Sequence, residues 1–279
     1  MIKSLLKNKM IAFGFSFVAV LAVVAILSPL LSPYSPVKQD LDIRLQAPSK
    51  EHMLGTDDLG RDVLSRILWG SRISLIVGFV SVGIALLIGV PLGLVSGFYG
   101  GWVDKFIMRI VDIMLCFPSI FLILMVITFL EPNVINVMVV IGITSWPGLT
   151  RYVRGEALSI REREFMQAAK MMGLKRKRIL FVHMLPNVMA PVLITATLGV
   201  GSAILTESIL SFLGLGVQPP HPSWGNILTT GKEYMGQGAW WLLVIPGLAI
   251  LVTVLSFNLI GEGLRDVLDP YTGRRQERK

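Results

Sequence analysis

Apolar residues in this chain gather into long runs separated by short polar stretches. A run near ~20 residues is long enough to cross the hydrocarbon core of a bilayer as a helix. Spans are predicted over 10–31, 74–98, 106–130, 134–149, 188–213 and 240–264. The first follows Lys3, Lys7 and Lys9 and ends among Pro29, Pro33 and Pro36. It is too long for a signal peptide and lacks a small-x-small cleavage site, so it reads as an uncleaved span. In the second, Ala85, Gly89, Gly93 and Gly97 recur every fourth residue and form one flat side for close helix approach. Pro91 and Pro118 are expected to kink their spans, and Trp146-Pro147-Gly148 to end the fourth. Glu131-Pro132-Asn133 reads as a short outer turn.

The polar stretches differ in charge. Residues 32–72 balance Lys38, Arg44, Lys50, Arg61, Arg66 and Arg72 against Asp40, Asp42, Glu51, Asp57, Asp58 and Asp62, which suits the outer face. There Thr56 is predicted to cap a helix, with Asp57 and Asp58 at its positive end. Leu59, Val63 and Ile67 would give that helix an apolar face at the membrane interface. Asp57, Asp58, Arg61 and Asp62 read as caps and ion pairs. The segment 211–228 contains Gly214, Gly216, Pro219, Pro220 and Pro222, which rule out a regular helix across it. Such backbone at a membrane edge lines a cavity or packs on protein.

The segment 151–187 is strongly basic: Arg151, Arg154, Arg161, Arg163, Lys170 and Lys175 to Arg178 face only Glu156, Glu162 and Glu164. A basic loop between apolar spans belongs on the cytoplasmic side. A helix is predicted over Ser159–Met172, with Leu158, Phe165, Ala169 and Met172 on one face. Gly173 stands where a helix end favours a left-handed residue. A second short helix, Lys175–Met184, leads to Pro186 in the first turn of the next span.

Composition excludes several functions. Hydrophobic residues make up 53% and charged residues 16%, too few charges to cover a soluble surface. The net charge of +8 follows from the inside loops rather than from nucleic-acid binding. Cys116 is the single cysteine and reads as a small packed hydrophobe, so no internal disulfide forms. There is no phosphate-binding P-loop, no His-Glu-x-x-His, no zinc-type spacing and no Gly-x-Ser-x-Gly elbow. No cofactor is expected. Arg109 and Asp112, three apart, are expected to pair near the inner boundary. Glu207, followed by Ser208, is a carboxylate deep in an apolar run. It either faces a substrate path or hydrogen-bonds a neighbouring helix.

Three strings carry a family resemblance. Gln167-Ala168-Ala169, then Gly173, then Leu185-Pro186 keep the spacing of the Glu-Ala-Ala loop of ABC-importer permeases, with Gln167 in place of Glu and His183 in place of Ile. Leu-Gly-Thr-Asp-Asp-Leu-Gly-Arg-Asp at 54–62, and Ser-Phe-Leu-Gly-Leu-Gly at 211–216 with a later Ser-Trp-Gly, resemble the dipeptide/oligopeptide branch. The resemblance implies an all-α, six-span permease of the type I importer kind with a cytoplasmic coupling helix. It also implies an inner-membrane location with both termini cytoplasmic. The expected units are 1–72 (first span and outer loop), 73–265 (permease core) and 266–279 (basic tail). The implied partners are a second permease, two ATP-binding subunits, an external substrate-binding protein and membrane lipid, with peptides as cargo. Phe165, Gln167, Ala168, Ala169, Met172, Gly173, Leu185 and Pro186 would contact the ATP-binding subunit. Glu207 and Ser208 are expected on the substrate path. The alternative is a proton-coupled carrier acting without ATPases, and no catalytic role is expected of the chain itself.

Overall fold

A computed structural model of the protein describes residues 9–131 and 133–268. The basic flank Lys3 and Lys7, the turn residue Pro132 and the tail Arg274, Arg275, Arg278 and Lys279 lie outside the described residues. Among those residues the regular structure is helical, apart from a single bridge between Thr56 and Asp62.

Helix α1 spans Lys9–Leu31. Helix α2, Val63–Tyr99, runs 37 residues without a break through Pro91. Thr56 does not cap it. The Asp62 carboxylate does, accepting the Ser65 N–H at 2.8 Å, while the Thr56 hydroxyl donates to the Ile43 carbonyl and accepts the Gln46 N–H. The interfacial helix expected through Val63 and Ile67 is therefore the first part of α2 itself. The expected unit boundary at residue 72 falls inside this helix.

The third span is broken. Helices α3 (Gly101–Leu115) and α4 (Ser119–Thr128) meet at an angle of 81°. Pro118 drives its preceding residue out of the helical region, which explains the break. Among the described residues, helices long and apolar enough to cross a membrane number five, or six if the bent pair counts as one span. Arg109 does not hold Asp112, which is paired by Arg151. Cys116 lies at the break and is exposed, not packed.

Helix α5, Val134–Arg161, continues past Pro147, which the sequence suggested would end it. A proline removes one backbone bond, and neighbouring helices in a membrane bundle tolerate that. The coupling segment is thus two pieces, the end of α5 and a separate helix α6, Glu164–Met171. A turn at Arg176–Arg178 and a π-helical stretch Ile179–Met184 feed directly into α7, Leu185–Phe212, with Pro186 in its first turn. Helix α8, Trp224–Tyr234, occupies part of the segment expected to be irregular. Its signal is Ser223, whose hydroxyl accepts the Asn226 N–H at 3.2 Å. Helix α9, Trp241–Leu268, closes the bundle.

The core forms where α2 and α5 cross. An added Cβ at Gly93 would lie 2.6 Å from Val153 Cβ, and one at Gly97 would lie 2.6 Å from Ala157 Cβ. Ser81 donates to the Met138 carbonyl at 3.0 Å, and Thr150 to the Gly89 carbonyl at 3.2 Å, so hydroxyls bridge the two backbones.

The loop between α1 and α2 is drawn onto the bundle by the string at 54–62. The buried Asp57 carboxylate accepts the N–H groups of Leu59 and Arg61, each at 2.9 Å, and the guanidinium groups of Arg61 and Arg66. Arg66 reaches on to Asn226 of α8 at 3.1 Å. Trp241 of α9 donates to the Thr56 carbonyl at 3.1 Å. Gly60 sits at φ +69°, and an added Cβ would come within 1.6 Å of the Asp40 carbonyl oxygen, so no other residue fits.

Candidate functional site

Two places combine exposure with unusual chemistry: the tip of the 151–187 segment and a cavity within the bundle.

At the tip, α6 divides its side chains between two environments. Met166 and Ala169 are buried against Val153, Ala157, Ile160, Ile179 and Met184. Phe165 is 40% exposed, Met171 89% and Met172 74%. The helix ends in a left-handed turn. Gly173, at φ +70°, donates to the Lys170 carbonyl, and Leu174 donates to the Ala169 carbonyl. This paired closure satisfies two carbonyls that would otherwise face water. Leu174 packs back on the same cluster that buries Ala169. The Gln167 amide donates to the Glu162 carbonyl at 3.2 Å, tying α6 to the end of α5. Leu185 is half-buried against the bundle and Pro186 is exposed.

The expected contact set is therefore split. Phe165, Ala168, Met172 and Gln167 face outward, whereas Ala169 turns into its own chain. Leu158 belongs to α5 and shares no helix with them. Met171, the most exposed large apolar side chain of the tip, is absent from the expected face because the expected helix is too long and its face is drawn one position off.

The cavity, of about 190 Å³, opens among α2, α4, α5 and α7. Its polar lining is hydroxylic: Ser81, Ser119, Ser145, Thr195, Ser202 and Thr206, with no charged side chain. Ser145, Ser202 and Thr206 each donate to a carbonyl one turn back in their own helix. Their oxygens keep lone pairs, so these hydroxyls offer acceptors to a guest. Sequence reasoning missed this wall, although Thr195, Gly199, Ser202 and Thr206 follow the spacing of one helical face.

Glu207 and Ser208 are not part of that wall. Glu207 is fully buried. Its Oε1 accepts the Ser211 hydroxyl at 2.7 Å, and Ser208 approaches Oε2 at 3.5 Å. Ser211 in turn accepts the Val217 N–H at 3.1 Å, and its carbonyl accepts Thr229 at 2.8 Å. Through Ser211, which lies on its own helix, Glu207 is tied to the glycine- and proline-rich turn after α7. Glu207→Gln keeps the shape and an acceptor, and should leave thermal stability and import unchanged. Glu207→Leu strands the Ser211 hydroxyl in an apolar setting, an expected loss of about 1–3 kcal/mol. A clear import defect in a stably folded Glu207→Gln would instead assign it to the substrate path.

Comparisons with known proteins agree with this architecture. Residues 89–274 match the family described as binding-protein-dependent transport system inner membrane component. Residues 1–48 match the N-terminal transmembrane domain of oligopeptide transport permease C. The dipeptide transport system permease protein DppC of Alkalihalophilus pseudofirmus is 47% identical, over 96% of this chain and 88% of that protein. The di/tripeptide transport system permease protein DppC of Pseudomonas aeruginosa is 42% identical, over 96% of this chain and 90% of that protein. Among solved structures, an inward-facing form of the MetNI methionine ABC transporter matches with a TM-score of 0.60 at 21% identity. That match covers 74% of this chain and 97% of the other, and carries the fold alone.

Proposed function

We propose, since this chain belongs to the family of binding-protein-dependent transport system inner membrane components, that it forms half of the membrane path of an ATP-driven peptide importer. Relatives of nearly the same length are named for dipeptide and di/tripeptide transport, which supports short peptides as cargo. The hydroxyl-lined, uncharged cavity suits such a cargo. It offers acceptors to peptide N–H groups and discriminates little between charged side chains. The same lining disfavours a proton-coupled carrier, which needs a titratable group on its route.

One observation carries the coupling role. Phe165, Met171 and Met172 expose large apolar side chains on a helix of a basic, polar loop. An apolar patch of this kind in water marks a protein contact. We read it as the foot that enters a groove on an ATP-binding subunit, with the loop and both termini cytoplasmic. Hydrolysis then occurs in the partner subunits, and a second permease and an external binding protein complete the assembly. The units 1–72, 73–265 and 266–279 remain our division, with α2 shared across the first boundary.

Ala168→Trp is the decisive variant, because Ala168 faces outward beside Phe165 and Met171 whereas Ala169 supports α6 from beneath. Overpacking a fitted contact costs ~1–3 kcal/mol, so recovery of ATP-binding subunits with the purified permease should fall roughly tenfold. Lys170→Gln should recover them normally. Full recovery and full import by Ala168→Trp would remove the coupling role.

A further inference from the structure

Between α1 and α2 runs a second open space, a groove of about 340 Å³. Ala22 and Ile26 line it on α1, and Ile76 and Phe79 on α2. Arg72 is the one charged residue in that lining. It is exposed and has no ion-pair partner among the described residues. From Arg72 to Phe79 the helix advances about 10 Å, so the apolar part of the groove extends roughly two turns into the span.

A lone cation above an apolar furrow between two membrane-spanning helices has a specific chemical complement. The cation calls for an anion at the edge of the hydrocarbon, and the furrow calls for an alkyl chain below it. We propose that the groove binds an anionic phospholipid, with its phosphate on Arg72 and one acyl chain along Ile76 and Phe79. A guanidinium suits this contact because it meets two phosphate oxygens at once.

A protein occupant is disfavoured by direction. Arg72, Ile76 and Phe79 point about half a turn round α2 from Ser81 and Ala85, which line the cavity, counting 3.6 residues per turn. A second permease that covers the cavity leaves the groove outside. This argument rests on the reading of the cavity as a shared path. Blocking the cavity with bulk at Ser202 reads that path separately, through import alone.

The test uses the whole importer, reconstituted in vesicles of equal parts phosphatidylglycerol and phosphatidylcholine with identical chains, then extracted in detergent. Mass spectrometry counts the lipids retained per complex. The unaltered complex should retain phosphatidylglycerol in preference. A basic residue near an anionic lipid surface contributes ~1 kcal/mol, so Arg72→Gln should lower that retention about fivefold and leave phosphatidylcholine unchanged. Ala22→Phe, which fills the groove, should lower both. Unchanged phosphatidylglycerol retention by Arg72→Gln overturns the site. So does capture of the second permease by a photocrosslinker attached to Ile76→Cys in a Cys116→Ser chain, because protein then occupies the groove.

Discussion

Asp57→Ala is expected to destabilise the folded permease by about 3–5 kcal/mol, the usual consequence of removing one partner from a buried charge cluster. The size follows from what the carboxylate holds. Two guanidinium groups and two backbone N–H groups converge on it, and Arg61 and Arg66 are both buried. Without Asp57 those charges lie in a poorly solvated site beside Asp58 alone, which Arg61 approaches at 3.5 Å. Asp58 does not reproduce the role: it makes no ion pair with Arg66, and in the intact cluster burial, and then the Asp57 charge beside it, raise its pKa above the ordinary carboxylate value. The loop 32–62 should detach from α8 and α9 and become sensitive to added protease. A double variant, Asp57→Ala with Arg66→Met, should recover part of the loss, since it removes an uncompensated charge together with its partner. Protease resistance and melting temperature of the purified complex measure both. A single variant as stable as the parent would show that the cluster is solvated and of little weight.

The second large effect is expected at the crossing of α2 and α5. Gly93→Leu places a Cβ within 2.6 Å of Val153 Cβ and 2.7 Å of the Thr150 carbonyl oxygen, before the rest of the side chain is considered. Both neighbours belong to α5, so the helices must move apart. That breaks the Thr150 bond to Gly89 and opens the cluster around Leu94, Leu149 and Val153. Overpacking of this kind costs ~1–3 kcal/mol or more where backbone is the obstacle. Gly83 lies on the same helix with nothing within 4 Å of an added Cβ. Gly83→Ala should therefore be neutral or raise stability by about 0.5–1 kcal/mol, the usual difference between the two residues inside a helix. Thermal unfolding of the two variants side by side checks the contrast, and equal loss in both would mean that the close approach is not what the glycines provide.

These glycines also show what the sequence discloses. The four-residue spacing from Ala85 to Gly97 identifies the packing side of α2, because a membrane helix with a small-residue stripe has one use for it. Span positions were legible for the same reason: apolar length is a nearly sufficient signal in a bilayer. Proline was less informative. Pro91 and Pro147 sit within continuous helices while Pro118 marks a sharp bend, and the residue alone does not say which neighbours will satisfy the freed carbonyl. Gly173 was legible because its conformation is local. The faces of α6 were not, since they depend on Glu162 and Arg163 breaking the helix, and those two residues have no strong breaking tendency. Glu207 was visible as an isolated carboxylate, but its partner Ser211 becomes meaningful only when the turn after α7 folds back on it.

Helix α7 carries a mechanical implication. With the stretch from Arg176 it forms one rod of 37 residues, from the foot beside α6 to the clamp at Ser211. It comes close to α2 at Gly78, where an added Cβ would meet Val200 at 2.9 Å and Ile204 at 3.0 Å. That point lies nearer the Ser211 end of the rod than the Arg176 end. Thr195 lies on the long arm with the foot, and Ser211 on the short arm. Pivoting at that point would swing the two arms in opposite senses, so a shift of the Arg176 end to one side would move the turn at Ser211 to the other.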